Sequence, residues 1–260
     1  SIFVIKNGYA QKGYTSNIQY LTEEGIMALF DEYMNGGGIL LRDGASINNC
    51  DIYANTAFIG GGIYRANANA NTPANYLRNN KIRRNYAITE GGGLYYIRGG
   101  NQAAVDVIAN CEISGNVSDR HGALVAQRAN LINCSIIGNK TEVYSFDTIT
   151  STNTYNRYVN CVLWGNDSRN YAFQTEGHDN VYEHCAIQGG HEGTDNINLA
   201  LENEGDDSNS YYPHFLDVDN EVYQPLEGSA LVNEGDNASL YGEKDLAYHD
   251  RVKDGIVDNR

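Results

Sequence analysis

Four aromatic side chains and one arginine stand where a sugar-binding surface could use them. Each follows a repeated motif at a position predicted to face outward, and aromatic rings present a flat apolar face on which a sugar can lie. The same rings could instead pack against one another across neighbouring repeats. The residues are Tyr53, Tyr64, Arg83, Tyr95 and Trp164.

Catalysis on a polysaccharide would need charged groups in a defined arrangement. A glycoside hydrolase uses two carboxylates about 5–10 Å apart. The outward series Asp51, Lys81 and Glu112 instead alternates in sign between neighbouring repeats, which predicts ion pairs along the surface. A lyase would need a base beside a calcium-binding acidic cluster, and the basic residues Lys81, Arg83 and Arg84 have no such cluster in the next repeat. An enzyme is therefore the alternative to simple binding.

Calcium is the one metal that the acidic C-terminal segment suggests. Hard cations take several oxygen ligands, and four aspartates lie close together in the sequence. No EF-hand spacing is present, so a solvated acidic loop is the competing interpretation, and no cofactor is required. The aspartates are Asp206, Asp207, Asp217 and Asp219.

The five cysteines recur at one repeat position, 23 to 31 residues apart when Asn80 is counted in the series. These spacings match no zinc pattern. They predict a column of buried thiols that fills a small slot in the core, without disulfides, because parallel Cβ vectors disfavour the required torsion. The cysteines are Cys50, Cys111, Cys134, Cys161 and Cys185.

One motif, Asn-Cys-x-Ile/Leu-x-x-Asn, organises these residues. Alternation puts the Cys and the branched apolar residue on the same inward face of a strand. The closing Asn can stack on the Asn of the next repeat, amide to amide. One repeat cannot bury its own apolar face, whereas stacked repeats bury a continuous core. Copies begin at Asn49, Asn79, Asn110, Asn133, Asn160 and His184.

Glycine clusters followed by an apolar residue indicate a second corner of the same coil. They lie at residues 36–38, 60–62 and 91–93, with a weaker copy at 121–124. Together the two motifs predict an all-β protein, a single-stranded right-handed parallel β-helix of about seven or eight coils.

Two segments depart from the repeat. Residues 22–34 follow helical spacing behind Thr22, a plausible N-cap, and predict a short helical insertion. Residues 192–260 are predicted to be an acidic cap that closes the end of the solenoid, which occupies residues 1–191 of the same domain. The predicted plug consists of Phe215, Leu216, Leu226, Leu231 and Val232.

The net charge of −15 lies almost wholly in the C-terminal segment. Residues 192–260 hold 17 acidic and 4 basic side chains, and the preceding part is nearly neutral. Neither part of the chain has the excess of basic side chains that would neutralise phosphates, which argues against nucleic acid as a partner. No apolar run is long enough to predict a transmembrane helix, and no leader is recognisable. We expect a monomer.

The C-terminal motifs carry a family resemblance. Residues 213–217 read Pro-His-Phe-Leu-Asp, and residues 226–236 contain Leu-Glu-Gly-Ser-Ala-Leu-Val-Asn-Glu-Gly-Asp. With the coil at 160–166, Asn-Cys-Val-Leu-Trp-Gly-Asn, this set resembles the bacterial right-handed β-helix surface proteins of the choice-of-anchor Q family, common in Bacteroidetes. Ala230 and Asn233 replace a proline and an aspartate that are usual in the family. The resemblance implies a secreted or outer-surface-anchored protein, whose leader and anchor we expect to be absent from this chain.

The sequence therefore favours a secreted or cell-surface protein that binds glycan, or another extended surface polymer, without catalysis. Two alternatives stay open. One is a polysaccharide lyase or glycoside hydrolase of the β-helix type. The other is a structural surface spacer or adhesin, in which the outward aromatic residues would only pack against one another.

Overall fold

The computed structural model describes residues 3–8, 35–42, 44–65, 74–97, 105–120, 122–142, 149–150, 156–168, 175–176, 180–200, 212–232, 234–240, 242 and 246. The helical insertion predicted at residues 22–34 lies outside this part of the chain. Among the described residues no helix has the length and apolar character needed to cross a membrane.

A complete coil runs through four short strands, one in each of four sheets. We name the sheets D, A, B and C, in the order in which the chain passes through them. Sheet D contains β3 (Ser46–Asn48), β7 (Tyr76–Arg78), β11 (Asp106–Ala109), β15 (Ala129–Ile132), β19 (Arg157–Val159) and β23 (Val181–Glu183). Sheet A contains β1 (Phe3–Lys6), β4 (Cys50–Tyr53), β8 (Lys81–Arg83), β12 (Glu112–Ser114), β16 (Ser135–Ile137), β20 (Val162–Trp164), β24 (Ala186–Gln188) and β25 (Ile197–Leu199).

Sheets B and C complete the coil. Sheet B contains β5 (Thr56–Ile59), β9 (Tyr86–Glu90), β13 (Val117–Ser118), β17 (Lys140–Thr141) and β21 (Asp167–Ser168). Sheet C contains β2 (Ile39–Leu41), β6 (Ile63–Arg65), β10 (Leu94–Ile97), β14 (Leu124–Gln127), β18 (Ile149–Thr150) and β22 (Thr175–Glu176). A separate antiparallel hairpin pairs β26 (Phe215–Asp217) with β27 (Val222–Pro225), and one 3₁₀ turn spans Asn237–Ser239.

Strand pairing within these four sheets is parallel throughout, and each strand pairs with its counterpart in the next coil. In sheet A, for example, Asp51 is in register with Lys81, and Lys81 with Glu112. The predicted parallel β-helix is therefore confirmed. Right-handed winding follows from the chirality of parallel crossovers.

The inward face of sheet A carries the two apolar positions of the repeat. The branched residues are fully buried, as at Ile52, Ile82 and Ile113. All five cysteines are buried and free. Asn80 takes the cysteine position in one coil, and its Oδ1 accepts a hydrogen bond from the Cys50 amide at 3.0 Å. The cysteine column therefore fills a slot in the core by packing, as predicted.

A ladder of buried asparagines runs beside the cysteine column. In the first four of its five asparagines, Nδ2 donates to the Oδ1 of the next asparagine at 2.8–3.0 Å. In all five, Nδ2 also donates to a backbone carbonyl of the previous coil. These bonds satisfy both polar ends of a side chain that would otherwise be costly to bury. The ladder consists of Asn55, Asn85, Asn116, Asn139 and Asn166.

The corner before the cysteine position and the corner at the glycine clusters both require left-handed backbone. The residue before the cysteine position has a φ of 53–58° in every copy, including His184, which replaces asparagine. Asparagine tolerates this conformation better than most residues. At the glycine clusters sterics decide as well, because a Cβ on Gly93 would lie 2.6 Å from the Asn116 side chain. Both motifs are therefore fixed by backbone geometry.

We expect the native protein to hide all five thiols from reagents. Each is nine-tenths buried or more, and burial raises the pKa of the Cys111 and Cys161 thiols, which lowers their reactivity. Titration with a thiol reagent should therefore find no fast-reacting groups in native protein and all five in denaturant without reductant. A denatured count of one or three would instead reveal disulfides.

Residues 191–199 cover the last coil. Asn196 Oδ1 accepts from the Cys185 amide at 2.9 Å, and Nδ2 donates to Tyr182 O at 3.1 Å. The predicted plug is wrong for Leu216 and Leu226, which are 53% and 42% exposed. Phe215 packs instead on the outer face of sheet A, where apolar residues need cover.

Candidate functional site

The outer face of sheet A changes character along the solenoid. Its first coils carry charged residues, and its later coils carry Ile137, Trp164, Ala186 and Leu199. The tail covers that apolar part through Tyr212, Phe215, Val218, Tyr223, Ala230 and Leu231. Among the described residues of this face, the charged half is therefore the part that the tail leaves open to a ligand.

Two ion pairs link neighbouring coils in the charged half. Arg83 Nε and Nη2 donate to both carboxylate oxygens of Asp51 at 2.9 and 2.8 Å, and this hydrogen bonding raises the pKa of Arg83. Lys81 Nζ lies 3.4 Å from Glu112 Oε2, and Ser114 Oγ donates to Glu112 Oε1 at 3.0 Å. The predicted pairing is correct for Lys81 with Glu112. It is wrong for Asp51, because the planar guanidinium matches a carboxylate better than an ammonium does.

The β26–β27 hairpin stands beside these pairs and adds a third. Arg84 Nε donates to Glu221 Oε1 at 2.7 Å. A Cβ at Gly115 would lie 3.0 Å from the same oxygen, so glycine makes room for the carboxylate. Nothing in the repeat identifies Glu221 as a partner of Arg84, which is 137 residues away.

A groove of about 420 Å³ lies between the hairpin and sheet A. Its wall on the solenoid comes from three neighbouring coils, through β4, β8 and β12. The opposite wall comes from the tail. The lining residues are Asn49, Cys50, Asp51, Asn79, Lys81, Arg83, Glu112, Asn220, Glu221, Val222 and Leu246.

Arg83 lines the groove, whereas Tyr53 does not line it and both faces of its ring lie near cations. The guanidinium of Arg83 lies 4.7 Å from the ring centroid, and Lys6 Nζ lies 5.7 Å from it. These cations belong to the coils before and after Tyr53. A sugar therefore cannot stack on this ring without displacing one of them.

The remaining predicted ligand residues lie elsewhere. Tyr64 and Tyr95 stack on sheet C with centroids 5.2 Å apart, as predicted, but Tyr64 is buried. Trp164 is only 7% exposed, edge-on to Tyr212 and Phe215, and its Nε1 donates to Ala200 O at 2.8 Å. These three rings therefore belong to packing rather than to the groove.

The calcium prediction gains no site from the described residues. Both carboxylate oxygens of Asp217 accept from Asn220, which lowers the pKa of Asp217 and fixes the tip of the hairpin. Asp219 is exposed, while Asp206 and Asp207 lie outside the described ranges. Within those ranges no three His, Cys, Asp or Glu side chains are grouped to hold a metal.

Tyr223 packs the hairpin against the solenoid next to the groove. Burial and the nearby Glu221 carboxylate raise the pKa of Tyr223 to about 12, so its hydroxyl stays neutral at physiological pH. The groove itself is lined mainly by side-chain amides and paired ionic groups. Comparisons with protein-family models, curated proteins and solved structures found no match for this chain.

Proposed function

We propose that this chain is a non-catalytic, secreted or cell-surface β-helix protein that binds an extended glycan in the groove between sheet A and the hairpin. The observation that carries the proposal is the groove itself, of about 420 Å³, with polar groups from three successive coils. A volume of this size lies within the usual range of ligand sites, about 300–1,000 Å³.

The lining chemistry suits sugar hydroxyls. A hydroxyl both donates and accepts, so it can bind carboxylates, guanidinium groups and side-chain amides alike. Ion pairs hold Asp51, Arg83 and Glu112 in fixed orientations, which reduces the entropy lost on binding. Because the polar groups repeat from coil to coil, the site suits a polymer better than a compact molecule.

Catalysis is less well supported by the same residues. A hydrolase needs two carboxyl groups that are free to act on the substrate. Each groove carboxylate is instead engaged by a cation: Asp51 by Arg83, Glu112 by Lys81, and Glu221 by Arg84. A lyase base would likewise have to leave its ion pair. The proposed location outside the cell is supported by the family resemblance of the motifs.

A polysaccharide panel tests this proposal. We expect the protein to retain at least one glycan, with or without calcium, and to release no unsaturated or reducing-end product. The double variant Asp51→Asn/Arg83→Gln should weaken glycan retention by about tenfold or more, because it removes the bidentate Asp51–Arg83 ion pair from the groove.

The matched control is Lys140→Gln/Glu142→Gln. It removes an ion pair of 3.0 Å that does not line the groove, and it should bind as the unmodified protein does. Product formation would show an enzyme instead. No retention of any glycan would leave a structural spacer as the better description.

A further inference from the structure

The ion pairs leave no unpaired charge among the described residues that line the groove. Among the described residues, its charged lining side chains are Asp51, Lys81, Arg83, Glu112 and Glu221. Each has an oppositely charged partner within 3.4 Å, and the partner of Glu221 is Arg84, beside the groove. Positive and negative groups are therefore equal in number, three of each.

This balance selects against charged polymers. A uronate or sulfate would need a cation that is already held by a carboxylate, and breaking the pair would leave that carboxylate unpaired. A polycationic amino-sugar polymer meets the converse cost, because it would need a carboxylate that is already held by a cation. In addition, the net charge of −15 repels polyanions at long range. An uncharged ligand meets neither cost, because hydroxyls can use the donors and lone pairs that remain on each ion pair.

The spacing of the polar groups indicates the shape of the ligand. Asp51, Lys81 and Glu112 occupy matching places on three neighbouring strands, which are about 4.8 Å apart in a sheet. One pyranose in an extended, equatorially linked chain advances by a similar distance. Such a chain could place one sugar on each coil and about three in the groove.

We propose that the groove takes an uncharged, extended polysaccharide, with one sugar residue on each of three coils. This inference rests on the proposed function and names its ligand class. It also assigns the three ion pairs a role in specificity, since they remove the countercharges that acidic polymers need.

Three soluble polymers distinguish neutral, acidic and basic ligands: a neutral β-linked glucan or mannan, polyanionic polygalacturonate, and a polycationic amino-sugar polymer. We expect the neutral polymer to bind most tightly, with less than about a twofold change in Kd between about 50 and 500 mM NaCl, because no ions are released. Neutral oligosaccharides should gain affinity up to about three units and little thereafter.

A single substitution provides the sharper test. Asp51→Asn frees the guanidinium of Arg83 in the groove, and it should improve binding of polygalacturonate by roughly tenfold at low salt. Glu142→Gln also frees a cation, Lys140, but away from the groove, and should give no such gain.

The outcomes distinguish the two proposals. If unmodified protein binds polygalacturonate more tightly than neutral glycans, and salt weakens that binding, then the inference is wrong and glycan binding stands. An equal gain from Asp51→Asn and Glu142→Gln would also overturn the inference. If no polymer is retained, both proposals fail.

Discussion

Replacing Asn116 with alanine is expected to destabilise the protein by about 4 kcal/mol or more, since it leaves several buried polar groups without partners. Asn116 is fully buried in the middle of the asparagine ladder. Its Nδ2 donates to Ile82 O at 2.8 Å and to Asn139 Oδ1 at 2.9 Å. Its Oδ1 accepts from the backbone amide and from Nδ2 of Asn85, both at 3.0 Å.

Urea denaturation followed by circular dichroism measures this effect. Asn48→Ala is the matched control, because Asn48 is exposed on sheet D, and it should change the free energy of unfolding by no more than about 0.5 kcal/mol. Similar values for the two variants would mean that the ladder contributes little to stability.

The second large effect concerns a buried ion pair at the corner between sheets C and D. Arg65 Nε lies 3.2 Å from Asp106 Oδ2, and both side chains are fully buried. Asp106 Oδ1 accepts from the Asn75 amide at 2.8 Å, and Arg65 Nη1 donates to Ile97 O at 2.9 Å. We expect Asp106→Ala to cost about 3–5 kcal/mol, because it strands a buried charge.

The double variant Arg65→Met/Asp106→Ala should cost less than Asp106→Ala alone, since no charge is left in the core. Breaking the exposed pair of Lys140 and Glu142 should change stability by only about 0–1 kcal/mol. Both comparisons use the same denaturation assay. A double variant that is less stable than the single one would show that packing, rather than charge, dominates at this corner.

The repeat predicts sheet A well because its requirements are local. An inward cysteine and isoleucine, a left-handed residue such as Asn110, and a ladder residue such as Asn116 each follow from the chemistry of one coil. Stacking identical coils then fixes the register. The calcium prediction, by contrast, depended on how the irregular tail folds, and its aspartates have no period from which to infer a shape.

The candidate site was only partly predictable, for a related reason. Alternation indicates which residues face outward, as it did for Tyr53, Arg83 and Trp164, but not what covers them. Tyr53 lies between cations of the neighbouring coils, and Trp164 lies under the tail. The hairpin wall, with Glu221, comes from contacts between residues far apart in the chain, which no local pattern reveals.

The path of the tail has a consequence for how the solenoid unfolds. Where coils touch only their neighbours, terminal coils can fray one at a time. Here Glu221 holds Arg84 after β8, while Phe215 packs on Trp164 of β20, three coils further on. Coils between β8 and β20 cannot separate from one another without breaking a contact with the tail. We therefore expect the coils that the tail bridges to unfold together as one unit.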